Sequence, residues 1–246
     1  MTALNDLVEK YGELILPLSL DVSNHQKVSI VVQQAHQHFG RLDVVLNNAG
    51  YALVGAIEEA NIEDVKTEFN TNFFGALSVI QAALPLLRAQ QNGHILSVSS
   101  VAGIVAGPIT GFYNASKWAL EAMLDSLAQE VQRFGIKVTI LEPGAYATDF
   151  SSAQSLDVST GLDAYQTIRE QVFAYSSQID FGEPKATVPV ILNIVDAEEP
   201  PLRIFIGTEG LPHAKAVYAA RLAEWEKWHE WSAQAQGTST QHDLKI

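Results

Sequence analysis

Leu42-Asp43-Val44-Val45-Leu46-Asn47-Asn48-Ala49-Gly50 is the stretch on which the fold turns. An apolar run of strand length, rich in β-branched residues, breaks at once into amide and small side chains. The same device recurs. The run His94 to Val98 ends at Ser99-Ser100, and Lys137 to Leu141 leads into Pro143-Gly144. Between these strands lie segments with helical periodicity, Asn24 to Phe39, Asn61 to Ala89 and Phe112 to Phe134. Ser23 is the expected cap of the first and Gly40 its stop, while Asn61 with Asp64 resembles a capping box for the second. Upstream, Leu14 to Leu20 reads as a strand, with Pro17 suggesting an edge or a bulge. Downstream, helices are expected over Leu162 to Ser176, Val188 to Val195 and Pro212 to Trp231, with a last strand at Leu202 to Ile206. Alternating short apolar strands and helices predict an α/β domain with a mostly parallel sheet covered on both faces. Ligands of such sheets bind at the carboxyl ends of the strands. Asn47 to Gly50, Ser99-Ser100 and Pro143-Gly144 all fall at such ends, so three loops point at one crevice.

The 246 residues, 47% hydrophobic, suit one sizeable core, and no repeat or linker divides them. A net charge of −13 without any Lys/Arg run argues against nucleic acid and anionic lipid as partners. The absence of cysteine removes disulfides, thiolate catalysis and cysteine-held metals, and fits a reducing, cytoplasmic setting. The first residues lack the basic and apolar regions of a signal peptide, and no uninterrupted apolar run reaches membrane-spanning length.

Chemistry concentrates in Tyr113-Asn114-Ala115-Ser116-Lys117 and in Ser100. Four residues apart on a helix, Tyr113 and Lys117 share one face. A free phenol titrates near about 10, and an ammonium beside it is expected to favour the phenolate. A serine hydroxyl converging on the same point could hold a carbonyl or alcohol oxygen. The set suits moving a proton at an oxygen while a hydride moves at the adjacent carbon.

With those residues in order, the chain resembles the short-chain dehydrogenase/reductase (SDR) family. The matching motifs are Asn47-Asn48-Ala49-Gly50, Asn72 within Thr71-Asn72-Phe73-Phe74-Gly75, Ser99-Ser100, Tyr113 to Lys117, and Pro143-Gly144 followed by Thr148. The resemblance implies a three-layer, Rossmann-like, doubly wound domain over residues 1–246. Residues 1–148 would form the cofactor-binding and catalytic core, and 149–246 the substrate loop, last strand and C-terminal helix. It implies an oxidoreductase interconverting a carbonyl compound and a secondary alcohol with NADP or NAD, NADP slightly favoured. Ser100 would orient the substrate oxygen, Tyr113 would donate the proton, and Lys117 would lower the tyrosine pKa and bond the nicotinamide ribose. Asn72 would hold a water linking Lys117 to solvent. Asn48, Ala49 and Gly50 would let backbone approach the cofactor, Pro143 and Gly144 would pass beside the nicotinamide, and Thr148 would reach its carboxamide or pyrophosphate. Asp21 matches the acidic residue near the adenine, and reads equally as a strand-end turn residue. A homo-oligomer through the helices Asn61 to Ala89 and Phe112 to Phe134 is also implied.

One part of the family pattern is missing. The family opens with a strand, a Thr-Gly-x-x-x-Gly-x-Gly turn, a helix and a second strand, and none of these precedes Leu14. Gly103, Gly107 and Gly111 have the wrong spacing and read as a flexible loop at the mouth of the site. The fold expected is therefore N-terminally truncated, through an internal start, a fragment or a natural truncation. Leu14 to Leu20 could then slide in beside Leu42 to Leu46. The alternative to an enzyme is a cofactor-free binding or scaffold protein of the same fold. Substrate choice is expected to lie in residues 149–185 and in Val101 to Thr110, with Ala145, Tyr146 and Phe150 giving an apolar lining. His36 and His38 face different sides of a helix and make no metal pair, so no metal is expected. Trp225, Trp228 and Trp231 recur with Leu222 as a stripe expected to pack on the body of the chain.

Overall fold

The computed structural model describes residues 4–148, 150, 156–158 and 161–237. In chain order these form α1 (Asn5–Tyr11), α2 (His25–Phe39), β1 (Val44–Asn47), β2 (Ala52–Val54), α3 (Ile62–Phe69), α4 (Ala76–Gln90), β3 (Gly93–Val98), α5 (Gly111–Val131), β4 (Ile136–Pro143), β5 (Leu156–Val158), α6 (Gln166–Ser176), α7 (Thr187–Asp196), β6 (Arg203–Ile206) and α8 (Gly210–Gln234). A π-helical turn, Asn70–Gly75, joins α3 to α4. The main sheet has the order β1-β3-β4-β6, every neighbour parallel, with Leu46 opposite Leu96 and Ser97 opposite Ile140. A second, two-stranded sheet pairs β2 with β5.

Adjacent strand residues point to opposite faces, and the core divides accordingly. Ile95 and Ile140 pack with Ile80, Leu87, Leu120 and Leu124 of α4 and α5 on one side. Leu96 and Leu141 pack with Ile194 of α7 and with Ile206 on the other. That division is what makes the molecule three-layered. The helical run 62–90 is long and apolar enough by composition to be weighed as a membrane span. Its residues Ala76, Ile80, Ala83 and Leu87 lie instead in the core against the sheet.

Local signals hold with small corrections. The cap of α2 is Asn24, whose side chain accepts from the Lys27 N–H; Ser23, one residue earlier, bonds Asp21. Gly40 ends α2 in the left-handed region, at φ 76°. Asn61 caps α3 by accepting from the Glu63 N–H.

Four expectations fail. Leu14 to Leu20 forms no strand: Gly12–Leu14 is a 3-10 turn and the rest runs without a ladder. Pro17 contributes no donor there, and Leu14 is exposed. β1 pairs with β3 alone, so the proposed slide beside it does not occur among the described residues. The tryptophan stripe does not pack on the body either: Trp225, Trp228 and Trp231 are 59%, 55% and 70% exposed. Finally, Val101 to Thr110 is no loose loop. Val105 and Ile109 are buried, the Trp118 indole donates to the Ala102 carbonyl, and the Gly55 N–H to that of Ile109. The tail beyond 237 lies outside the described residues.

Candidate active site

β3 ends at Val98 and turns sharply, with Ser100 accepting from the Ala102 N–H to cap a short 3-10 turn. α5 then crosses that strand end and presents Tyr113 and Lys117 one helical turn apart. β4 runs on to Pro143 and places Gly144 on the same side. The three loops enclose a cavity of about 700 Å³ whose wall includes Asn48, Gly50, Ser100, Tyr113, Lys117, Pro143, Gly144 and Thr148. Ala145, Tyr146 and Phe150 line it too, and the Phe150 ring lies 5.7 Å from that of Tyr113.

The Lys117 ammonium donates to the Val98 carbonyl at 2.9 Å and stands 5.7 Å from the centre of the Tyr113 ring. Burial pulls it down to about 8, while the Glu68 and Glu121 carboxylates favour its charged form. Burial pushes the Tyr113 phenol up to about 12; the Ser100 hydroxyl acts in the opposite sense and Glu68 adds to the rise. The expected lowering of the tyrosine by Lys117 is therefore not what this site shows. Desolvation of the phenolate is the largest influence on it, and the Lys117 ammonium is turned to the Val98 carbonyl.

Asn72 sits in the π-helical turn, a feature that is rare and frequent at functional sites. Its side chain accepts from the Tyr51 N–H at 3.0 Å and donates to the Tyr51 carbonyl and the Ser116 hydroxyl, each at 2.9 Å. Gly50 is pinned beside it. A Cβ there would stand 3.1 Å from Asn72 Oδ1 and 3.3 Å from Lys117 Nζ. Asn72 and Ala49 are absent from the cavity wall, and Asp21 lies apart from it. The Asp21 carboxylate accepts from the Ser23 N–H and hydroxyl, the turn-residue reading of that position.

Three features escaped the sequence. Thr187 and Ile191 of α7 line the cavity, beside Phe181 and Pro184 from the 149–185 stretch in which substrate choice is expected. Glu209 accepts from the Ala145 N–H at 2.6 Å and fills the space a side chain on Gly144 would need. Glu68, fully buried, accepts from the Leu53 N–H at 2.8 Å. A glutamate four residues before Asn72 was the available signal for Glu68; nothing local marks the others. The segment Val101 to Thr110 contributes nothing to this wall, and part of 149–185 lies outside the described residues.

Behind Ser99 a second cavity, about 650 Å³, gathers Glu121, Asp125 and Glu142 around one guanidinium. Arg203 Nε lies 3.1 Å from Glu121 and 3.8 Å from Glu142, and Nη2 lies 3.0 Å from Asp125. Burial pushes the Glu142 carboxyl up to about 7, the Glu121 charge adds to this, and Arg203 opposes it. Among the described residues no cluster of His, Cys, Asp and Glu could hold a metal ion.

The sequence profile of the short chain dehydrogenase family matches residues 1–159. The oxidoreductase BOA17 of Botryotinia fuckeliana is 38% identical over 234 residues, covering 93% of this chain and 85% of the relative. A 3-ketodihydrosphingosine reductase of Bacteroides thetaiotaomicron is 36% identical over 193 residues, 77% of this chain and 72% of its own length. A crystal structure of a short-chain dehydrogenase from Streptomyces avermitilis superposes with a TM-score of 0.87 at 32% identity, covering 95% of this chain and 86% of that one.

Proposed function

This chain belongs to the short-chain dehydrogenase family of oxidoreductases, and from that premise we propose that it interconverts an apolar carbonyl compound and its secondary alcohol with NADP or NAD. The observation that carries the reading is the convergence of Ser100, Tyr113 and Lys117 on one cavity at the carboxyl ends of parallel strands.

The wall fits a nicotinamide riboside. Gly50 offers bare backbone beside the Lys117 ammonium, and Pro143-Gly144 offers a second strip of it. Asn48, Gly50, Lys117, Pro143, Gly144 and Thr148 would hold the cofactor, which supplies or accepts the hydride. Asp21, its carboxylate held by the Ser23 N–H and hydroxyl, would stand near the adenine.

This chain's own residues manage the oxygen. Ser100 orients it, and Tyr113 gives up or takes the proton at Oη. With the phenol raised to about 12, Tyr113 is protonated at neutral pH, and Lys117, near about 8, still carries charge. A site in that state is poised to give a proton to a bound carbonyl oxygen, which suits the reduction step, while the cofactor supplied sets the net direction. Phe150, Tyr146, Phe181 and Ile191 keep the cavity apolar and suit a hydrophobic ketone or aldehyde. The Bacteroides relative is named as the reductase of a keto compound, 3-ketodihydrosphingosine, which agrees with the reaction class proposed here. A homo-oligomer through the helical stretches 61–89 and 112–134 completes the reading, checked by sedimentation.

The test is NADPH- and NADH-dependent reduction of a graded series of long-chain and cyclic ketones by the wild type and Tyr113→Phe. Turnover should fall by about 10² to 10⁴-fold in the variant, with cofactor affinity unchanged within a few-fold. Normal turnover in Tyr113→Phe removes the proton-donor role. No saturable binding of either dinucleotide by the wild type restores the non-catalytic reading.

A further inference from the structure

The stretch 161–182 brings Phe181 to the cavity wall, yet little of it is packed. Among the described residues of α6 none is buried, so hydrophobic burial does not fix where this helix lies. Polar contacts at the two ends of the stretch do.

The upstream anchor is Glu59, in the turn that follows β2. Its side chain is 0% exposed, and that of Arg169 on α6, 2.5 Å away, is 14% exposed. The Glu59 carboxylate also accepts from the Ala56 N–H at 2.7 Å and from the Leu162 N–H at 2.6 Å. The Arg169 guanidinium closes the ring by donating to the Leu162 carbonyl. It lies close over Gly161, where a Cβ would stand 2.8 Å from Arg169 Cζ. The Leu162 N–H, then Ala56 and Arg169, hold the Glu59 carboxyl below its ordinary range against the opposing effect of burial, so it meets the guanidinium as a carboxylate. The downstream anchor is Gly182. Its N–H donates to the Ala145 carbonyl at 2.9 Å, and its carbonyl accepts from the Ala147 N–H at 3.0 Å. A Cβ on Gly182 would stand 2.7 Å from the Tyr146 ring. Phe181 is the residue just before this joint, and Ala145 and Tyr146 share the cavity wall with it. The stretch 161–182 is thus a strap, tied on one side to the turn after β2 and on the other to the loop after β4.

We propose that Glu59 and Arg169 are positioning residues for the substrate: their buried ion pair latches the strap 161–182, and the latched strap holds Phe181 in the apolar wall of the cavity. The inference rests on the oxidoreductase reading for its effect on turnover, and on geometry for the latch itself. Neither side chain is part of the cavity wall, so the pair acts through the strap and touches neither substrate nor cofactor. Asn48, Gly50 and Lys117, on the cofactor side, belong to other segments. Losing the latch should therefore weaken the grip on a large apolar substrate and leave the dinucleotide alone.

The experiment compares wild type and Arg169→Ala. Amide hydrogen exchange is followed in the ligand-free proteins, and reduction of a long-chain undecanone and of cyclohexanone is followed with NADPH. In Arg169→Ala the amides of Leu162 and α6 should exchange at least about tenfold faster, with those of β3 and β4 unchanged. KM for the undecanone should rise at least about fivefold, while kcat for cyclohexanone and the affinity for NADPH stay within about twofold. Unchanged exchange overturns the latch. Faster exchange with an unchanged undecanone KM, or an equal loss for both ketones, makes the pair merely structural and overturns the positioning role. In a wild type that reduces neither ketone, undecanone binding read by NMR decides: weaker binding to Arg169→Ala upholds the latch while the oxidoreductase reading fails by itself, and equal binding overturns both. Should Arg169→Ala fail to fold, Glu59→Gln, which keeps an oxygen for the Leu162 N–H, and Arg169→Lys, which keeps the charge, take its place. Arg169→Lys should then fall between wild type and Glu59→Gln in both measurements; wild-type exchange and undecanone KM in the two variants overturns the proposal.

Discussion

Glu142→Gln should stabilise this protein at alkaline pH and do much less in mild acid. Glu142 is 1% exposed, and burial among Glu121 and Arg203 raises its carboxyl from the ordinary 4.5 to about 7. Between those values the native state holds a proton that the unfolded chain has released. Stability therefore falls as pH rises through that window, by about 3 kcal/mol once it is crossed. Glutamine is neutral throughout and escapes the loss. By the same linkage its gain is about 1.4 kcal/mol near about pH 5.5 and about 3 kcal/mol near about pH 8.5, a difference of about 2 kcal/mol. Arg203 keeps Glu121 and Asp125, so no guanidinium is stranded. Urea unfolding followed by tryptophan fluorescence at the two pH values measures the difference directly. A gain equal at both pH values, or a loss at the higher one, would refute the argument that Glu142 is ionised against its surroundings.

Two further outcomes follow from the site. Because burial holds Lys117 near about 8 while Tyr113 stays protonated up to about 12, kcat/KM for reduction should decline above about pH 8, far below the range of a free lysine. In Lys117→Met that limb should vanish together with most of the rate; a wild-type limb near about 10 would show that the ammonium is not desolvated in solution. Gly50→Ala should cost at least about tenfold in turnover, because its methyl group presses on Asn72 Oδ1 and Lys117 Nζ, with stability changed by less than about 1 kcal/mol. Unaltered turnover in Gly50→Ala would mean that the close approach is not used.

The parallel sheet was legible because strand periodicity, small-residue turns and helix stops are local properties of the chain. β1, β3, β4 and β6 lie where the apolar runs place them, within a residue or two. The motif residues were legible for a different reason: Tyr113 and Lys117 share a helix face by spacing alone, and Ser100 ends a strand that leads to that helix. Leu14 to Leu20 shows the limit of the method. Its composition suits a strand, but a strand needs a partner ladder, and no sequence run announces one. The tryptophan stripe fails likewise, since spacing fixes which residues share a face and not what covers it.

Charge state was the property furthest from the sequence. Four residues separate Tyr113 from Lys117, and from that spacing a lowered phenol is the natural expectation. Folding buries both, raises the phenol, lowers the amine and brings Glu68 in from a different helix. The sequence by itself determined which groups could meet at the strand ends, because helix and strand periods are set by the backbone. Only the tertiary structure decided how much water each group loses and which distant carboxylate stands near it, because desolvation and Coulomb energy depend on packing between segments far apart in the chain.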